Sequence, residues 1–331
     1  MQCIDVIEMI LRSDSNFTKL SLLALAFFLF GNCRFSFAQK NQPIASDINK
    51  ETFTYAKIDT TVLKLDVYTH AAMPKKSPCI IFVFGGGFIT GKRDEPFYND
   101  YFNALVHKDY VVVSISYRLG LFSAKRLFTS KLKPLKSTID TAVVDLYDAT
   151  KWVIAHHNQL GIDTTKIILS GSSAGAVTVL QADFEKRNKT ELASRLSPKF
   201  EYAGVVSFAG AVLTFKGPLR YKTKPAPTLM FHGTHDKMIF YNRIVFFNRS
   251  LNGSNSIASV FRRRHYAYYF YRERGRGHEV AALPMRHNLK EIFWFMDEFV
   301  FKKKNYQIEE SFNDMDKKPK FILGSEDIFS E

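Results

Sequence analysis

Six short apolar bursts constrain this chain more than any other feature. They read CIIFVF from Cys79, YVVVSISY from Tyr110, KIILSG from Lys166, GVVSFAG from Gly204, TLMFHG from Thr228 and YAYYFY from Tyr266. None alternates apolar with polar residues, so each reads as a strand covered on both faces, as parallel strands inside a sheet are. Helical spacing lies between several of them. Leu146, Ala149, Val153 and His157 mark one helix, and Ile292, Phe295, Met296 and Phe299 another near the end. Strands alternating with helices predict an α/β fold with a mostly parallel central sheet and helices on both faces. VLKLDVY, between Thr52 and His70, alternates as a half-buried hairpin strand does. With 331 residues, 46% hydrophobic and 24% charged, the chain can bury a substantial core, and disorder is not its default.

In such sheets ligands bind beyond the carboxyl ends of the strands. Those ends read Gly85-Gly86-Gly87, Gly171-Ser172-Ser173-Ala174-Gly175, His232-Gly233-Thr234-His235-Asp236 and Gly275-Arg276-Gly277-His278. The glycine triplet has two readings: a flexible corner, or a place where backbone N–H groups approach a ligand that a Cβ would keep away. GSSAG fits the nucleophile-elbow pattern G-x-S-x-G and stands between the strand KIIL and the small-residue segment AGAVTVLQADF. A serine hydroxyl needs a base within hydrogen-bond reach, itself oriented by a carboxylate. Taken singly, His278 reads as a surface histidine and Asp236 as a turn residue. Together with Ser173 they fall at three successive strand ends that can converge.

On these residues the sequence resembles the α/β-hydrolase family, particularly its carboxylesterases and its hormone-sensitive-lipase-like and polysaccharide-esterase branches. The resemblance runs from the strand at Cys79 to the helix ending near Lys304. It is carried by Gly85 to Gly87, YVVVSISYRLG leading into Arg118, GIDTTKIILSGSSAG, APTLMFHGTHD and GRGHEV. It implies the α/β-hydrolase fold and cleavage of carboxylic esters, small-molecule or glycan, through an acyl-enzyme. Ser173, Asp236 and His278 then form the catalytic triad, in the family's chain order. The Ala174, Gly86 and Gly87 amides become the oxyanion hole. No metal or organic cofactor is implied. Where many relatives have histidine before the glycines, this chain has Phe84, which can support the loop only by packing. Cys79 reads as a buried core thiol, and His235 as a neighbour of Asp236 pointing elsewhere. A peptidase of the same fold, or a binding protein that has lost catalysis, are the alternative expectations.

The apolar run from Leu20 to Phe30, preceded by Lys19, is too short to span a bilayer as a helix but suits a secretory signal. Ser36 and Ala38 fit the minus-three and minus-one positions of a cleavage site. The expected organisation is a signal peptide at 1–38, a hydrolase domain at 39–304 and a charged tail at 305–331, to which no function is assigned. Cys33 would suit a lipoprotein, but Asn32 before it argues against lipidation. After cleavage Cys79 is the only cysteine, so no internal disulfide can form. A bacterial protein, periplasmic or secreted, is expected, of open oligomeric state.

The net charge is +14. Two basic stretches contribute, Ser123 to Lys136 and Phe261 to His278. They read as solvated faces, or as a field favouring anionic esters near the site. Export and the lack of a recognition motif argue against nucleic acid as partner.

Overall fold

The computed structural model describes residues 47–119, 132–215, 217–246 and 248–313. The expected leader, the greater part of the first basic stretch, and residues 314–331 of the tail lie outside the described residues. In chain order the strands are β1 (Ile48–Ile58), β2 (Thr61–His70), β3 (Ser77–Val83), β4 (Val111–Ile115), β5 (Ile162–Ser172) and β6 (Gly204–Phe208). They continue as β7 (Ala211–Thr214), β8 (Thr228–Gly233), β9 (Arg243–Phe246), β10 (Arg249–Gly253), β11 (Tyr268–Arg274) and β12 (Gln307–Asn313). The principal helices are α1 (Asn99–Val106), α2 (Leu132–Ala155), α3 (Ala174–Asn188), α4 (Ser254–Arg263) and α5 (Leu289–Phe295), the last running into a π turn at Met296–Phe301.

The main sheet has the order β1-β2-β4-β3-β5-β6-β8-β11-β12. β1 and β2 form the expected hairpin, β2 pairs antiparallel with β4, and every later pairing in the sheet is parallel. All six apolar bursts are strands of this parallel part. Their register explains their composition: Ile80 lies beside Val112 on one side and Ile168 on the other, and all three are fully buried. A strand with neighbours on both edges and cover on both faces has no solvent side on which to place polar residues. α1 packs on β2 and β4, while α2 packs on α3, which lies against β3, β5 and β6. Cys79 is buried in β3, and burial pushes its thiol well above its ordinary range, which makes it a core thiol.

Two features went unread in the sequence. β7, β10 and β9 form a separate antiparallel sheet, built from chain that follows the ends of β6 and β8. β12 adds a ninth strand beyond Lys304, so the sheet extends into the segment expected to be a tail. β12 is almost entirely exposed and shows no apolar burst. Polar contacts hold it instead: Tyr268 Oη donates to Glu309, Tyr269 Oη to Glu310, and Arg262 pairs with Glu309.

The packing that matters most for the site is at the start of α3. A Cβ placed on Gly175 would lie 2.0 Å from the Val83 carbonyl oxygen and 2.6 Å from that of Phe84. Only glycine lets the helix begin this close to the end of β3. Gly175→Ala should therefore destabilise the protein by about 1–3 kcal/mol through overpacking. An unchanged midpoint in urea denaturation would show that the close approach is dispensable.

Candidate active site

Ser173 sits between the end of β5 and the first turn of α3, with φ 51° and ψ −117°. Such a conformation costs a non-glycine residue about 1–3 kcal/mol and persists only where neighbours enforce it. Here its N–H donates to the Phe208 carbonyl at 2.9 Å and its carbonyl accepts the Val177 N–H at 2.9 Å. The turn leaves the side chain 9% exposed at the carboxyl end of the sheet.

The structure brings His278 and Asp236 to it. His278 opens a single 3-10 turn, His278–Ala281, after β11, and its Nε2 lies 2.7 Å from Ser173 Oγ. Its Nδ1 lies 2.8 Å from Asp236 Oδ2, in the loop after β8. The two loops are fastened together: His235 N–H donates to the Arg276 carbonyl at 2.9 Å and Thr234 N–H to that of Glu273 at 3.0 Å. A Cβ on Gly233 would lie 2.3 Å from the Gly277 carbonyl oxygen, so glycine is required for this approach.

Asp236 is buried, yet it carries its charge. Met238 and Ile239 donate backbone N–H groups to Oδ1 at 2.8 and 3.0 Å. On the other oxygen, His278 is joined by fully buried His232, whose Nε2 stands 3.5 Å away. Burial by itself raises the Asp236 carboxyl, but the hydrogen bonds and charge interactions with His232 and His278 outweigh it and hold it well below the usual carboxylate range. His232 is itself fixed, by the Ser254 hydroxyl at 2.8 Å and the Ile239 carbonyl at 2.9 Å. His235, as expected, turns elsewhere, and its Nδ1 meets the Thr234 hydroxyl at 3.1 Å.

The glycine triplet lies against the serine: a Cβ on Gly85 would lie 3.2 Å from Ser173 Cβ. Gly86 and Gly87 have φ +110° and +63°. The Gly86 carbonyl accepts N–H groups from Ile89 and Thr90, closing the loop into a turn. Among the described residues, the Gly86 and Gly87 amides donate to no partner. The Gly85 amide donates to Tyr98 Oη at 3.1 Å. Phe84 supports the loop by packing, with its ring 4.6 Å from that of Tyr117. Tyr117 Oη also donates to the Phe84 carbonyl at 3.0 Å. Tyr98, Tyr117 and His232 are contributors that sequence reasoning missed. His232 and Tyr117 stood inside quoted motifs without a role assigned to them, and Tyr98 stood in none.

Of the arginines leading to His278, Arg272 bonds to Tyr241 Oη and pairs with Glu309, and Arg276 lies 3.8 Å from Glu273. Their charge is thus largely answered within the protein. No cluster of histidine, cysteine and acidic side chains among the described residues is placed to hold a metal ion.

Residues 65–216 match the BD-FAE family model, a span that includes the glycine loop and Ser173 but neither Asp236 nor His278. Among curated proteins, the chain is 34% identical over 100 residues to fumonisin B1 esterase of Sphingopyxis macrogoltabida, covering 30% of this chain and 18% of that protein. It is 30% identical over 149 residues to cholinesterase 1 of Branchiostoma lanceolatum, covering 43% and 40%. The chain thus spans less than half the length of these relatives. Among solved structures, Thermogutta terrifontis esterase 2 phosphoramylated by tabun aligns with a TM-score of 0.57 at 20% identity, covering 76% of this chain and 95% of that one. The propionate-bound form of that esterase aligns with a TM-score of 0.55 at 19% identity, covering 76% and 94%. The sheet order and the overlay on 95% of a solved esterase give the α/β-hydrolase fold, and the family-model match spans both the glycine loop and the elbow.

Proposed function

We propose that this protein is an exported serine hydrolase that cleaves carboxylic esters, of small molecules or glycans, through an acyl-enzyme. One observation carries the reading: an unbroken hydrogen-bonded line from Ser173 Oγ through His278 to Asp236. The esterase relatives support the choice of ester over other acyl substrates.

In this reading Ser173 Oγ attacks the ester carbonyl while His278 Nε2 takes its proton. Asp236 Oδ2, accepting from Nδ1–H, fixes the tautomer that leaves Nε2 free to accept and stabilises the imidazolium once it forms. The oxyanion receives the Ala174 amide and those of Gly86 and Gly87, each such donor lowering the barrier by about 3 kcal/mol. His278 then returns its proton to the leaving alkoxide, and the acyl group stays on Ser173. Water, deprotonated by the same nitrogen, attacks the acyl-enzyme, and the carboxylate leaves as Oγ regains its proton. The depressed Asp236 carboxyl keeps this acceptor ionised throughout the neutral range.

Ser173→Ala should lower kcat on a model ester by more than about 10⁴-fold and abolish labelling by a fluorophosphonate, with folding intact. Residual turnover within tenfold of wild type would overturn the nucleophile. A wild-type protein that neither labels nor turns over any ester would instead be a binding protein of this fold.

Asp236→Asn should cost about 10⁴-fold in kcat by losing the tautomer control. The sign for stability follows from the lowered carboxyl. A group whose folded pKa lies below its unfolded value stabilises the fold above the unfolded value, about 4, and loses that contribution as pH falls through the folded value. The Tm gap between wild type and Asp236→Asn should therefore be wide at pH 7 and narrow towards pH 3. A gap that does not change with pH would refute the assignment.

Export is part of the proposal and rests on the Leu20–Phe30 run with Ser36 and Ala38. Intact mass of protein recovered from the envelope or medium should correspond to a chain starting at Gln39, and retention of residues 1–38 there would contradict it.

A further inference from the structure

The glycine loop must hold its amides still relative to Ser173, and the ring of Phe84 offers it no hydrogen bond. One peptide unit, Phe84–Gly85, joins β3 to that loop. Both of its polar ends are gripped by tyrosines: Tyr117 Oη donates to the Phe84 carbonyl at 3.0 Å, and the Gly85 N–H donates to Tyr98 Oη at 3.1 Å. We propose that Tyr98 and Tyr117 are positioning residues for ester hydrolysis, clamping this peptide plane so that the following amides of Gly86 and Gly87 stay aimed at the developing oxyanion. This inference rests on the reading of Ser173 as nucleophile.

The two phenols are themselves fixed. Tyr98 is 3% exposed, its ring stands 3.9 Å from that of Phe97 and 4.6 Å edge-on from Phe82, and its N–H donates to the Glu95 carbonyl at 3.1 Å. Tyr117 is equally buried, between Phe84 and Phe88. Beside the nucleophile, the Ser172 hydroxyl donates to the Ala281 carbonyl at 2.8 Å, in the turn that carries His278. The Tyr98 oxygen accepts the Gly85 N–H through a lone pair and keeps its own proton. Burial pushes the Tyr98 hydroxyl up to about 12, so it remains protonated and able to serve as both donor and acceptor at neutral pH.

If the peptide plane turns, the amides downstream swing with it, and a displacement of about 1 Å at a reacting centre can cost 10²-fold in rate. Tyr98→Phe and Tyr117→Phe keep both rings and remove only the hydroxyls. Each should lower kcat between tenfold and a hundredfold with KM within twofold, because the oxyanion exists only in the transition state. The second-order rate of fluorophosphonate labelling should fall in parallel. Tyr101→Phe is the control: it deletes a buried phenol that bonds to Ser170 Oγ at 3.0 Å, away from the loop, and should lower Tm while leaving kcat within twofold.

The clamp is overturned if folded Tyr98→Phe and Tyr117→Phe both keep kcat within twofold of wild type, or if they raise KM alone. It is equally overturned if the Tyr101→Phe control loses as much kcat as they do, since the effect would then be general loosening. Failure of the underlying reading looks different: Ser173→Ala would remain active in the same assays.

Discussion

The φ 51°, ψ −117° backbone of Ser173 is the constraint on which the rest of the structure depends. A serine held there stores about 1–3 kcal/mol of strain, and no local interaction in GSSAG can sustain it. What sustains it is placement: β5 lies inside the sheet between β3 and β6, and the Ser173 N–H finds the Phe208 carbonyl at the end of β6. α3 then has to start within contact of the β3 carbonyls, which only Gly175 permits. The apolar strands therefore do more than form a core. They supply the rigid frame against which one unfavourable turn can be held.

The same economy appears in the acid. A carboxylate buried beneath the histidine would ordinarily protonate, since desolvation favours its neutral form. Two backbone amides and two imidazoles reverse that preference, and they come from the loop's own turn, from β8 and from the turn after β11. The charge on Asp236 is thus a property of three segments meeting. The Gly233–Gly277 approach brings them together.

The parallel sheet was legible because burial on both faces writes itself as unbroken apolar runs. The serine, acid and histidine positions were legible because each ends such a run. β12 was not, since an exposed edge strand has no apolar signature and depends here on tyrosine hydroxyls reaching Glu309 and Glu310. The β7-β10-β9 sheet was hidden for a similar reason, its strands being only four or five residues long. Tyr98 was illegible in another way: PFYNDYF shows an aromatic cluster, but not which of its hydroxyls faces a backbone amide 13 residues earlier.

Phe84 shows how a departure at one position can be answered elsewhere. A side chain that hydrogen-bonds the glycine loop from behind fixes it with one contact. In this chain the packing and the hydrogen bonding are divided: Phe84 fills the space against Tyr117 and Gly91, while the two phenols hold the carbonyl and the amide of the peptide that follows β3. The division has a physical consequence. A phenol buried in an apolar site stays neutral far above neutral pH, whereas an imidazole changes charge between about pH 5 and 8. A glycine loop supported by tyrosines keeps the same charge behind it across that range.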